Sequence, residues 1–259
     1  MAQSNDLLAV LIDADNVPPS KVGAVLTEVA RFGTASVERV YGDWTRQQLS
    51  SWKSAASEHV IQPIQQFANT TGKNATDSAL IIDAMDLLYT RRFAGFCIVS
   101  SASDFTRLAT RLREDGVTVY GFGERKTPDA FRNACDSFTY LDVLSVPAAD
   151  EAVEPTASPV SAPAGESAKP PARADKATLR SDTKLLSGLR ACIESASGED
   201  GWAPLSTVGA LMRKRQPDFD PRNWGYAKLS DLMRTVDLFI LEPRPTGGLQ
   251  VQNKAKRAS

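Results

Sequence analysis

Histidine is almost missing from this 259-residue chain, with His59 its single example. A His-based catalytic triad or a multi-histidine metal centre would have to be built around that one side chain. It precedes a short apolar run and reads as structural. Cysteine is scarce as well: Cys97, Cys135 and Cys192 stand far apart with no C-x-x-C pair. That spacing suggests neither a disulfide framework nor a thiolate zinc site, and each cysteine reads as a small buried hydrophobe. No apolar run approaches the roughly 20 residues needed to cross a bilayer, and residues 1–6 lack the basic and apolar stretches of a signal peptide. The expectation is a cytoplasmic chain without a membrane partner, in which any hydrolytic chemistry rests on carboxylates.

What is present is ordinary globular usage, 42% hydrophobic and 24% charged, enough for one large domain or two modest ones. The net charge of −1 conceals an asymmetry. Residues 1–146 carry −3, residues 147–175 carry −3 and residues 176–259 carry +5. In the middle piece 15 of 29 residues are Pro or Ala and none is aromatic. It cannot bury a core, so it reads as a disordered tether between an acidic front domain and a basic rear one.

The front piece alternates short apolar runs with amphipathic stretches. Strands are expected at 7–12, 37–42, 60–64, 95–100 and 117–123. Helices are expected near 20–31, 45–57, 76–89, 103–114 and 128–134. Five strands separated by helices predict an α/β domain with a mainly parallel sheet. In the rear piece the spacing predicts helices over 181–195 and 205–215. A third is expected to be capped by Asn223 and to run through GYAKLSDLMRTV, followed by a hairpin from LFILEP and LQVQ. Three helices and a hairpin describe a winged helix-turn-helix.

In open α/β sheets the ligand site lies beyond the carboxyl ends of the strands, where strand order reverses. The first strand ends in Asp13-Ala14-Asp15-Asn16, the fourth runs into Ser100 and Asp104, and Asp77 begins the helix between them. Three segments thus deliver oxygen ligands suited to Mg²⁺ or Mn²⁺. The same aspartates also fit a plainer reading as turn formers and helix caps. Lys73, just ahead of the Asp77 helix, is placed either to grip a phosphate or simply to be solvated. Asp43 and Trp44 follow the second strand and are placed to reach the rim and hold a base, or to make a turn. Gly121-Phe122-Gly123 lacks the third glycine of a dinucleotide fingerprint and is assigned to a turn. In the rear, Arg213, Lys214, Arg215, Arg222 and Lys228 are candidate phosphate contacts, and Tyr226 and Trp224 either stack on bases or fill the core.

Three segments taken in order, LIDADN (11–16), KNATDSALIIDAMDLLY (73–89) and VSSASDFTRLATRLREDGVTVYGFG (99–123), resemble the motifs of the NYN domain, a PIN-like nuclease family. The resemblance covers about 140 residues. It implies a Rossmannoid sheet and a Mg²⁺- or Mn²⁺-dependent ribonuclease whose carboxylates are Asp13, Asp77 and Asp104. Asn16 would orient the first strand end, with Asp15 and Asp83 as further candidates and Ser100 on the substrate side. One position departs from the pattern. Ala102 stands where the family motif, Ser-Gly-Asp-Ser-Asp-Phe or Ser-Ser-Asp-Ser-Asp-Phe, has its first aspartate. A lost carboxylate weakens cation binding, which leaves open a catalytically weak or inactive RNA-binding adaptor that keeps the fold. The rear run GWAPLSTVGALMRKRQPDFDPRNWGYAKLSDLMRTVDLFIL (201–241) is similar to the LOTUS or OST-HTH domain, over about 75 residues. That resemblance implies binding of RNA, G-rich or structured, or contacts with protein partners.

Overall fold

A computed structural model of the chain describes residues 6–67, 75–145, 172–244 and 247–254. It falls into two compact units, Met1–Leu144 and Ser145–Ser259. Lys73 and nearly all of the Pro/Ala-rich segment lie outside the described residues.

The run LLAVLID is apolar on both faces, so it is stable only where both faces are covered. It forms β1 (Leu7–Asp13), flanked by β2 (Thr34–Gly42) and β4 (Gly95–Val99). With β3 (Gln62–Gln65), β5 (Thr118–Gly123) and β6 (Ser137–Tyr140) the sheet is six-stranded, all its pairs parallel, in the order β3-β2-β1-β4-β5-β6. The helices are α1 (Val22–Val29), α2 (Ser50–Glu58), α3 (Ala75–Tyr89), α4 (Thr106–Glu114) and α5 (Asp129–Ala134). Alternation along β1 sorts the layers. Leu8, Val10 and Ile12 pack with Val22, Val25, Val29 and Trp52 of α1 and α2 on one face. Ala9 and Leu11 pack with Leu80 and Ala84 of α3 and Leu108 and Leu112 of α4 on the other. Each fully buried aliphatic side chain contributes about 1.5–3 kcal/mol. Asp13 continues the second series, which aims it toward the α3 and α4 side.

Two expectations are corrected here. SFTY, not counted among the five strands, is β6, paired to β5 through Tyr120↔Ser137 and Gly123↔Tyr140. Gly121-Phe122-Gly123 is not a turn but lies within β5. A Cβ at Gly123 would stand 2.6 Å from the carbonyl oxygen of Ser100, so glycine there lets β5 close against the end of β4.

The second unit comprises α6 (Lys176–Ser181), α7 (Thr183–Ala196), β7 (Ala203–Pro204), α8 (Leu205–Arg215), α9 (Leu229–Val236), β8 (Phe239–Pro243) and β9 (Leu249–Asn253). Its small antiparallel sheet has the order β7-β9-β8. Leu185, Leu189, Val208, Met212, Leu232 and Val236 meet in one core. The helix expected from 181 begins only at Thr183, after a separate α6, because the Asp182 carboxylate accepts the Leu185 N–H at 2.9 Å and caps a new start. Asn223 does not cap the third helix. It sits in a 3₁₀ turn (Pro221–Trp224) and donates to the Asp218 carbonyl at 2.8 Å. Gly225, at φ 75°, ends that turn and α9 starts four residues later.

Candidate active site

Strand order reverses between β1 and β4, since the chain first builds outward through β2 and β3 and then on the opposite side through β4, β5 and β6. The crevice beyond the carboxyl ends of those two strands is the expected ligand position. Asp13 stands at its floor, fully buried. One carboxylate oxygen accepts the Asn16 side-chain amide at 2.7 Å and the Ser100 hydroxyl at 2.7 Å; the other accepts the Asp15 backbone N–H at 3.1 Å. Ser100 is itself fixed, its Oγ accepting the Ala102 N–H at 3.0 Å. Burial pushes the Asp13 acid above its ordinary range, while the bonds from Ser100, Asn16 and Asp15 pull it back.

Asp77, in the first turn of α3, is half-buried. Its acid is pushed up to about 6, by burial first and then by the charges of Asp13, Asp104 and Asp15, with a side-chain hydrogen bond to Asp104. Asp104 is exposed in the 3₁₀ turn (Ser103–Phe105) that leads into α4. Carboxylates from three elements therefore sense one another at one rim. Their oxygen-only, acidic donor set suits a hard divalent cation. Among the described residues, however, no group of three or more His, Cys, Asp or Glu is drawn together closely enough to hold an ion.

The further candidates separate. Asp15 is exposed beside the rim, with Arg46 Nη1 3.9 Å away. Asp83 is not free to ligate, because Arg39 and the Tyr41 hydroxyl both donate to its carboxylate. Asp43 is also a correction: it is buried, and its Oδ1 accepts from the Thr45 N–H, the Thr45 hydroxyl at 2.6 Å and the Gln65 amide at 3.0 Å. It closes a turn. Trp44 donates its indole N–H to the Ile64 carbonyl at 3.0 Å and lines a cavity of about 440 Å³ with Trp52 at the sheet edge. Ala102, half-buried, stands where the helix-entry turn begins, between Ser100 and Asp104.

In the second unit, Arg213, Lys214, Arg215 and Lys228 are exposed. Arg213 and Lys228 line a groove of about 650 Å³ with Arg234 and Arg244, which sequence reasoning missed because they lie far apart in the chain. Two other candidates are overturned. Arg222 is buried and paired to Asp220 at 2.7 Å. Tyr226 is buried and donates its hydroxyl to the Ala174 carbonyl at 2.6 Å. Neither can meet a nucleic acid without breaking the core. Trp224 is half-buried, with its N–H on Asp182 at 3.2 Å.

A family model described as NYN domain matches residues 7–142, and one described as OST-HTH/LOTUS domain matches residues 181–251. No curated protein matches the chain. Among solved structures, a protein of unknown function from Vibrio parahaemolyticus is similar at 15% identity and a TM-score of 0.45, over 54% of this chain and 96% of its own. An uncharacterized protein from Nitrosomonas europaea is similar at 28% identity and a TM-score of 0.27, over 41% of this chain and 97% of its own. No helix among the described residues is long and apolar enough to cross a membrane.

Proposed function

The chain belongs to the NYN domain family, and from that premise we propose that it is a divalent-metal-dependent ribonuclease whose OST-HTH/LOTUS domain binds the RNA. One observation carries the reading: Asp13, Asp77 and Asp104 come from three elements to the crevice where strand order reverses, near enough that, after burial, the charges of Asp13 and Asp104 add to the rise of the Asp77 acid to about 6. Like charges are gathered this way where a cation offsets their repulsion.

When bound, Mg²⁺ or Mn²⁺ neutralises charge on a phosphodiester and lowers the pKa of a water. The residues do the positioning. Asn16 and Ser100 fix the orientation of Asp13, and their hydrogen bonds favour its ionised form against the burial that raises its acid. Asp77, from the start of α3, and Asp104, from the turn into α4, supply the remaining carboxylates. With His59 the only histidine, proton movement at the rim falls to carboxylates and water. The groove of Arg213, Lys228, Arg234 and Arg244 favours a polyanion, and carrying it on the same chain raises the local RNA concentration.

The test is cleavage of labelled single-stranded RNA by the full chain in Mn²⁺. Cleavage is expected, and Asp13→Asn should lower its rate by roughly a hundredfold or more, the scale of removing one preorganised electrostatic group. Cleavage that Asp13→Asn leaves unchanged would remove this mechanism.

A further inference from the structure

Helix α9 begins without a side-chain cap. Lys228, at its N-cap position, makes no side-chain bond to the first turn, and the N–H groups of Leu229 and Ser230 have no intrahelical acceptor. Such a helix start carries partial positive charge and favours an anion. Ser230 is a second, independent sign. It is only 7% exposed, it lines the groove of about 650 Å³, and among the described residues no hydrogen bond engages its hydroxyl. Buried hydroxyls are ordinarily bonded, because an unmet one costs free energy. The exposure Ser230 keeps is toward the groove it lines, where an incoming acceptor would meet it.

The charge around this serine is one-sided. Arg213, Lys228 and Arg244 line the same groove, and no ion pair engages any of them among the described residues. The only carboxylate among the described lining residues, Asp231, is matched by Arg234 at 3.2 Å. Three cations are therefore left for a ligand. A phosphate spreads its oxygens tetrahedrally and can accept from both N–H groups and the hydroxyl while facing a cation; a planar carboxylate serves fewer of these donors at once.

We propose that the start of α9 is a phosphate seat. The Ser230 hydroxyl and the Leu229 and Ser230 N–H groups donate to one phosphate of a bound RNA strand, and Arg213, Lys228 and Arg244 balance its charge and that of its neighbours. The proposal rests on the RNA-binding reading of the second unit and is independent of the ribonuclease reading of the first.

The test uses the full chain in chelator, where RNA is bound and not cut. Ser230→Ala should lower affinity for a single-stranded oligonucleotide by about tenfold, the scale of one bond to a charged acceptor. The slope of log affinity against log salt should stay the same, because no charge is lost. Lys228→Gln should instead flatten that slope by about 0.7, one phosphate contact on a single strand. Ser206→Ala, which removes an exposed hydroxyl of the same groove, should leave affinity unchanged. The melting temperature of Ser230→Ala should hold or rise, since removing an unbonded buried hydroxyl is neutral or favourable; a fall would reveal an internal partner and overturn the proposal. In the ¹⁵N-labelled chain, inorganic phosphate should shift the amide signals of Leu229 and Ser230 saturably. Full RNA affinity in Ser230→Ala overturns the seat, as does poly-glutamate displacing RNA as well as polyphosphate of equal charge. No RNA affinity in the unaltered chain would sink the RNA reading instead; saturable amide shifts would then keep the phosphate seat, and their absence would remove it.

Discussion

At the scale of single residues, the site turns on position 102. The Ala102 N–H already serves Ser100, which in turn serves Asp13, so the backbone of this turn supports the rim although its side chain contributes no charge. Its extended backbone (φ −79°, ψ 145°) immediately precedes the turn holding Asp104, a conformation that aspartate adopts readily at a helix start. Ala102→Asp is therefore expected to fold normally and to raise Mn²⁺-dependent cleavage by about tenfold or more, on the scale of a restored metal-shell group. Both forms inactive, with RNA still bound, would favour an adaptor that retains the fold. Asp43, Asp83, Arg222 and Tyr226 teach the complementary lesson. Each has the right chemistry for its expected role, yet each spends it on an internal partner. Residue type alone does not distinguish a buried pair from an open one, because the deciding partner lies up to 52 residues away, as Ala174 does from Tyr226.

Among the elements, those set by local pattern were legible in the sequence. The doubly buried β1, the amphipathic α4 and the run LSDLMRTV announce themselves through period and apolarity. Elements decided by tertiary pairing were not: β6 is four residues long, and β7 has only two, held by β9. The placement of Asp13 at a strand end and Asp77 at a helix start followed from the sequence, while the Ser100–Asp13 bond joins residues 87 apart and needed the fold. One element-level device is testable by pH. Asp237 follows α9 at φ 56° and is held by Lys176 and Lys254, one from each end of the domain. Those two ammonium groups hold its carboxyl well below the ordinary value of 3.8. A carboxylate depressed in the folded state adds stability above its unfolded pKa and loses it as pH falls through the lowered value. The melting temperature of the second unit is expected to be level from neutral pH to about 4 and to fall below that, with a shallower fall in Asp237→Asn. The effect is modest because all three side chains are exposed to solvent. An identical acid profile in both proteins would show that this clasp does not contribute.

For the molecule as a whole, charge is divided between the two units. An acidic first unit gathers carboxylates at the one crevice its strand order creates, and a basic second unit presents cations in an open groove. On the proposed reading the first arrangement takes up a counter-ion, since burial and then the neighbouring charges of Asp13 and Asp104 push the Asp77 acid up to about 6. Mn²⁺ binding to the full chain, followed by electron paramagnetic resonance as free ion disappears, reads that uptake without any RNA or turnover. Saturable binding is expected, weakened at least about tenfold by Asp13→Asn and comparably by Asp104→Asn. Equal Mn²⁺ affinity in the unaltered chain and both variants would contradict the idea that this crevice is built around a cation.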